Sequence, residues 1–242
     1  DYFLWHVDVQ EGKLPPFKRK QIGMEFGADL LPNLQLPSLI ICGSRDMLIR
    51  PEQSRLMARK LKETGYTTRL LEIQDADHYS WSRFLDNPPI LEIAKTARRK
   101  RLPRKVAYRT WTLKFNGAWW VRIMGIDNWW RPADITAEAD PKTGKVTVQS
   151  SNVTRVRMEL PRELQGRHEE LKVDWNGTVS RHRAGKDTLV IELSEGYPED
   201  AAVVKTPEFC GPIREAFAGP FAIVHGGPKE AEELPERALR AA

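Results

Sequence analysis

Cysteine is scarce in this chain of 242 residues: Cys42 and Cys210 are the only two. A pair so far apart supplies no metal site with paired-cysteine spacing, and both read as free, buried thiols. The other obvious ligand, histidine, is also thin. His6, His168, His182 and His225 show no metal-ligand spacing, and His182, between Arg181 and Arg183, reads as part of an exposed strand face. No metal or organic cofactor is implied. Apolar runs are short, and none approaches the ~20 residues that a membrane span needs. The first ten residues are partly polar and form no signal peptide. The chain opens on Asp1 rather than methionine, which fits a piece cut from a longer polypeptide; localisation, bacterial secreted, periplasmic or cytoplasmic, stays open, and so does oligomeric state. Internal repeats and low-complexity tracts are absent.

What is present divides into regions of different texture. Hydrophobic residues make up 40% of the chain, enough for a core, and the formal charge is +5. Part of that excess sits in Arg98-Arg-Lys-Arg-Leu-Pro-Arg-Lys105, six basic residues in eight. Such a run could touch phosphates. Without interleaved aromatics, and with Pro103 as a helix breaker, it reads instead as a solvated linker over residues 99–104, and no nucleic-acid partner is expected.

Residues 1–98 mix helix and strand signals. The short apolar run Leu36 to Cys42 reads as a strand buried on both faces. Pro51 to Leu61 follows as a helix, with proline in its first turn, Leu56, Met57, Ala58 and Leu61 on one face, and Gly65 as the stop. Thr67 to Ile73 reads as a second strand. Strand, helix, strand implies a parallel pair with a right-handed crossover. A further helix is expected from Tyr79 to Leu91, interrupted near Pro88-Pro89.

Residues 105–200 alternate apolar and polar positions in short segments: Val106–Phe115, Ala118–Met124, Asp134–Ala139, Lys145–Gln149, Val153–Leu160, Leu171–Asp174 and Thr188–Leu193. Turn signals separate them, Asn116-Gly117 and Asn176-Gly177 being the strongest. The pattern predicts an antiparallel β-sandwich-like domain. Residues 201–242 read as helix, strand and helix: Gly211–Phe217, Phe221–Val224 and Glu230 onward. The expected fold class is therefore α/β plus all-β.

Open α/β sheets place functional groups at the carboxyl ends of their strands. Asp46 follows the first strand, and His78, in Asp75-Ala-Asp-His78, follows the second. A buried acid fixes the tautomer of an imidazole and stabilises its protonated form, and the imidazole then acts as general base toward a serine. An acid after a strand is often a helix cap, and a single histidine is often structural. The pair in this order, with strand-helix-strand between, favours catalysis.

Gly43-Ser44-Arg45-Asp46, Ile49, Pro51 to Ser54 and Leu61 to Gly65 resemble the end of the prolyl-oligopeptidase-like (S9-type) α/β-hydrolase domain. The resemblance covers roughly residues 30–85. It implies the C-terminal part of an α/β-hydrolase sheet, chain order Ser-Asp-His, Asp46 as the orienting acid and His78 as the base. The later segments, with Lys205 to Phe217, are similar to bacterial secreted or cell-associated hydrolases that carry an added β-domain. Two departures stand out. Asp77 takes the place where the family commonly carries glycine, and no Gly-x-Ser-x-Gly occurs in the sequence. Ser80 and Ser82 follow the histidine instead of preceding the acid. The expectation is a fragment, inactive alone, of a serine hydrolase acting on a small ester or peptide, with the nucleophile on a missing N-terminal portion. Tyr79 and Trp81 flank the base as candidates for lining the substrate cleft, with helix packing an equal alternative.

The other reading is non-catalytic. Trp111, Trp119-Trp120, Trp129-Trp130 and Trp175 are numerous for one module, and aromatic platforms bind carbohydrate or a protein partner. A sandwich core explains them as well. Adjacent tryptophans on a strand point to opposite faces, so one of each pair is expected outside the core. Asn152-Val-Thr154 and Asn176-Gly-Thr178 match the glycosylation triplet.

Overall fold

The computed structural model describes residues 14–25, 27–34, 36–79, 88–98, 100–195, 205–207 and 210–211. Ser80, Trp81 and Ser82 lie outside the described residues, as do the expected strand 221–224, the helix from Glu230, and 212–217 of the expected helix from Gly211.

The first part begins with α1 (Pro16–Glu25) and a 3-10 segment, Gly27–Asn33. Strand β1 (Ser38–Gly43), helix α2 (Pro51–Glu63) and strand β2 (Thr68–Ile73) follow. The strands pair in parallel, Ser38 opposite Thr68 and Gly43 opposite Ile73, with α2 as the crossover. Pro51 opens α2, and Ala58 and Leu61 are among its buried residues. Its end is a Schellman motif: the Tyr66 amide donates to the Leu61 carbonyl and the Gly65 amide to Lys62, with Gly65 at φ +82°. Helix α3 runs Pro88–Thr96. Pro88-Pro89 forms its first turn, where proline's missing N–H costs nothing, and residues 80–87 of the helix expected from Tyr79 lie outside the described residues.

The second part is β-rich. Its strands are β3 (Lys105–Thr110), β4 (Gly117–Ala118), β5 (Val121–Ile126), β6 (Ala133–Asp140), β7 (Lys145–Ser151), β8 (Val153–Leu160), β9 (Glu170–Trp175), β10 (Thr178–Arg183) and β11 (Leu189–Ser194). A four-residue helix, α4 (Arg162–Gln165), follows β8. One sheet has the order β10-β9-β7-β6-β3 and the other β11-β8-β5-β4. Alternate residues of both sheets, among them Val106, Ile135, Val148 and Val173 from the first and Ile123, Val156 and Met158 from the second, share one core. The pairing is antiparallel except for β7 beside β9, which is parallel. That exception qualifies the antiparallel expectation: after β7 the chain crosses to the other sheet as β8 before returning as β9.

Two local expectations need correction. Asn116 sits at φ −100° as the cap of a 3-10 turn (Leu113–Phe115), and Gly117 begins β4, so that Asn-Gly is no two-residue hairpin. Both tryptophan pairs lie in turns rather than strands; Trp119 has φ +50°. Asn176-Gly177, at φ +48° and +91°, does join β9 to β10, as a two-residue hairpin requires.

The parts meet along β3. The Asn33 side chain accepts from the Arg109 amide at 2.6 Å and donates to the Arg109 carbonyl at 2.9 Å, pairing with an edge strand as a neighbouring strand would. Gly23 of α1 lies on the buried Trp111 indole so closely that a Cβ there would fall 2.4 Å from the ring. No helix among the described residues is long and apolar enough to cross a membrane.

Candidate functional site

The site forms where β1 and β2 end side by side. β1 stops at Gly43, and the chain turns so that the Asp46 amide donates to the Gly43 carbonyl at 3.3 Å. Asp46 is only 7% exposed. One carboxylate oxygen, Oδ1, accepts from the amides of Leu48 (2.9 Å) and Ile49 (2.8 Å). The other, Oδ2, lies 2.8 Å from His78 Nδ1. Burial pushes this carboxyl up, but the Ile49 amide, the His78 ring and the Leu48 amide outweigh it and hold the group below its ordinary value. Asp46 is not a cap of α2, whose N-cap is Arg50.

His78 is carried by the turn after β2, in which Asp75 adopts a left-handed φ of +59°. Four contacts join this turn to the one bearing Asp46. Ser44 donates its amide to Ile73 and Arg45 its amide to Ala76, both at 2.9 Å. The Asp75 amide donates to Ser44 Oγ at 2.8 Å, and Arg45 pairs with the Asp75 carboxylate at 2.7 Å. Gly43 makes the approach feasible, since a Cβ there would sit 2.3 Å from the Ala76 carbonyl oxygen. Asp46 and His78 thus sit on loops fixed to each other, although 32 residues separate them.

An ionised carboxylate only accepts hydrogen bonds, so in the neutral imidazole this contact sets the proton on Nδ1 and leaves the Nε2 lone pair free. The His78 side chain is 32% exposed. Such an arrangement can take a proton from a nucleophile and hold the resulting positive charge against Asp46. Asp77 accepts the Tyr79 amide on Oδ1 at 2.9 Å, while Asp46 holds Nδ1. Among the described residues no hydroxyl or thiol is hydrogen-bonded to Nε2.

Tyr79 stands edge-to-face with His78, ring centroids 5.3 Å apart, and is 75% exposed. That places it beside the His78 ring at the surface of the described residues. Met47, Leu48 and Ile49, on the acid's own loop, are exposed too. This apolar rim and the Ser44–Arg45–Asp75 contacts were not foreseen from the sequence. Gly43, a glycine directly after a strand, was the available signal for the close approach.

The remaining candidates lie apart from the Asp46–His78 contact where described. Cys42 is buried in β1, and burial pushes its thiol up, away from the reactive thiolate. No cluster of three or more His, Cys, Asp or Glu suited to a metal occurs among the described residues. Trp111, Trp120 and Trp175 are buried. Trp119 donates its indole N–H to the Lys100 carbonyl, and Lys205 and Lys20 lie over the Trp129 ring. Trp130 is exposed, with Lys20 over its ring. The amide side chains of both glycosylation-triplet asparagines are engaged: Asn152 donates to the carbonyls of Asn128 and Arg131, and Asn176 to Ser150 Oγ.

No family model, no curated protein and no solved structure matches this chain.

Proposed function

We propose that Asp46 and His78 are the acid and base of a Ser-Asp-His hydrolase site whose serine is supplied by polypeptide outside this sequence. The observation that carries the reading is the 2.8 Å contact between Asp46 Oδ2 and His78 Nδ1 at the ends of two parallel strands, with Asp46 held by two backbone amides. The likeness of residues 30–85 to the prolyl-oligopeptidase-like domain supports it, and a Gly-x-Ser-x-Gly turn is the missing part.

In that site Nε2 of His78 takes the serine proton as the serine oxygen attacks an ester or amide carbonyl. The leaving alcohol or amine then receives the proton from the imidazolium, which Asp46 stabilises. Water repeats the sequence in reverse to free the acid and restore the serine. Tyr79, with Met47 and Leu48, lines the approach to the base; Trp81, the other candidate from the sequence, lies outside the described residues.

The test begins with the reading frame upstream of Asp1, where Gly-x-Ser-x-Gly is expected. The extended protein should hydrolyse a p-nitrophenyl ester and react with a fluorophosphonate, and the 242-residue chain should do neither. His78→Ala in the extended protein should lower kcat by ~10⁴-fold or more. A start codon directly before Asp1, or an unchanged kcat in the variant, overturns the proposal.

A further inference from the structure

At the opposite ends of β1 and β2 an open cleft of about 810 Å³ separates the two parts of the molecule. Leu36, Pro37 and Tyr66 form one wall, and Lys100, Arg104 and Lys105 the other. No aspartate or glutamate is among its described lining residues. Six-residue strands at ~3.3 Å per residue put it roughly 20 Å from the Asp46–His78 pair.

The backbone of the basic run is anchored although its described basic side chains are exposed. The indole of Trp119 donates to the carbonyl of Lys100 at 3.2 Å, and that of Trp120 to the carbonyl of Pro103 at 2.9 Å. Pro103 is itself buried, and Trp120 is only 2% exposed. The backbone between α3 and β3 is thus pinned at two points, and Lys100, Arg104 and Lys105 are exposed around it. Cations gathered on a pinned backbone repel one another and are already placed for a counter-charge, which lowers the ordering cost of binding one.

The nearby acids do not cancel them. Asp140 lies in the field of Arg104, and Glu163 shares an adjoining hollow with Arg101 and Arg104. Glu138 stands opposite Lys105 in the β3–β6 register, yet among the described residues neither Lys100 nor Lys105 is in an ion pair. Across the cleft, α2 presents its C-terminal end, whose carbonyls would repel an anion. The Schellman contacts and the Thr64 hydroxyl, which donates to the Lys60 and Leu61 carbonyls, blunt that end.

We propose that this cleft binds a compact multivalent oxyanion, a ligand bearing phosphoryl or clustered carboxylate groups. Its volume suits a small molecule. Tyr66, the one aromatic among the described lining residues, is half-buried with its hydroxyl on the Pro32 carbonyl, so among the described residues no stacking platform for a nucleic-acid strand is present. The site needs no turnover at His78, so its test stands apart from that of the hydrolase reading.

Inorganic tripolyphosphate, titrated calorimetrically into the 242-residue chain at low ionic strength, should bind saturably at one site and weaken as salt is added. Lys100→Ala and Lys105→Ala should each weaken it roughly fivefold. The double variant Lys100→Glu/Lys105→Glu should abolish it. Arg181→Ala, which removes an exposed cation on β10, should leave it unchanged. Both lysines are exposed, so the fold tolerates these changes. Absence of saturable binding, equal affinity in the double variant, or retention of single-stranded DNA without binding of tripolyphosphate overturns the proposal.

Discussion

Asp46 divides its two oxygens between tasks, one fixing the loop through the amides of Leu48 and Ile49 and the other fixing the ring of His78. In Asp46→Asn the amide oxygen can keep the backbone bonds, which turns the NH₂ group toward His78 Nδ1. Two donors cannot face each other, so the proton should move to Nε2. Imidazole nitrogen chemical shifts should report the tautomer change, and an unchanged Nδ1–H would mean that Asp46 does not orient the ring. Acid stability carries the same signature. The folded carboxyl lies below its ordinary value of 3.8, so its contribution is fully present above that value and is lost as pH falls through the lower, folded one. Asp46→Asn should therefore flatten the acid limb of a pH–stability curve below pH ~4. At this scale the sequence placed Asp46 and His78 after consecutive strands, and the structure brings them within 2.8 Å. The sequence was silent on Ser44 and Asp75, whose contact depends on two distant loops meeting.

Two glycines near the strand-helix-strand unit separate steric from conformational necessity. Gly43 has a carbonyl oxygen where a side chain would go, whereas nothing lies within 4 Å of a Cβ at Gly65, which needs glycine for its φ of +82°. Gly65→Ala should cost ~1 kcal/mol of strain. Gly43→Ala should cost more, ~1–3 kcal/mol, because backbone must move to admit it. Urea unfolding of both variants checks the order, and equal losses would show that the two loops are not closely joined. The elements themselves were legible where local pattern decides: α2 has one apolar face and a glycine stop, and β8 covers the expected Val153–Leu160. They were not legible where packing overrules a local signal. Asn116-Gly117 has turn chemistry, but its surroundings use it otherwise: Asn116 closes a 3-10 turn and its carbonyl accepts the Ile123 amide at 2.6 Å.

Across the whole molecule, Asn33 joins the α/β part to the edge of a β-sheet. Asn33→Ala leaves the Arg109 amide and carbonyl without these partners and should cost ~1–3 kcal/mol. Hydrogen exchange at Arg109 should quicken, and calorimetry should show the two parts melting less cooperatively. Unchanged exchange would place the coupling elsewhere, as in the packing of Gly23 on Trp111. A division into an α/β part and a β-rich part was readable from the change of periodicity after the basic run. The parallel β7–β9 pair and the Asn33 contact were not, since both join positions far apart in sequence without a local mark.

The indole anchors also bear on chain cleavage. The connection before β3 offers trypsin its densest cluster of basic residues, in side chains that are largely exposed. A protease must nevertheless draw the backbone into an extended form, and the Lys100 and Pro103 carbonyls are held by Trp119 and Trp120. The rate at which trypsin parts the two halves between these anchors is thus governed by release of two indole contacts rather than by side-chain exposure.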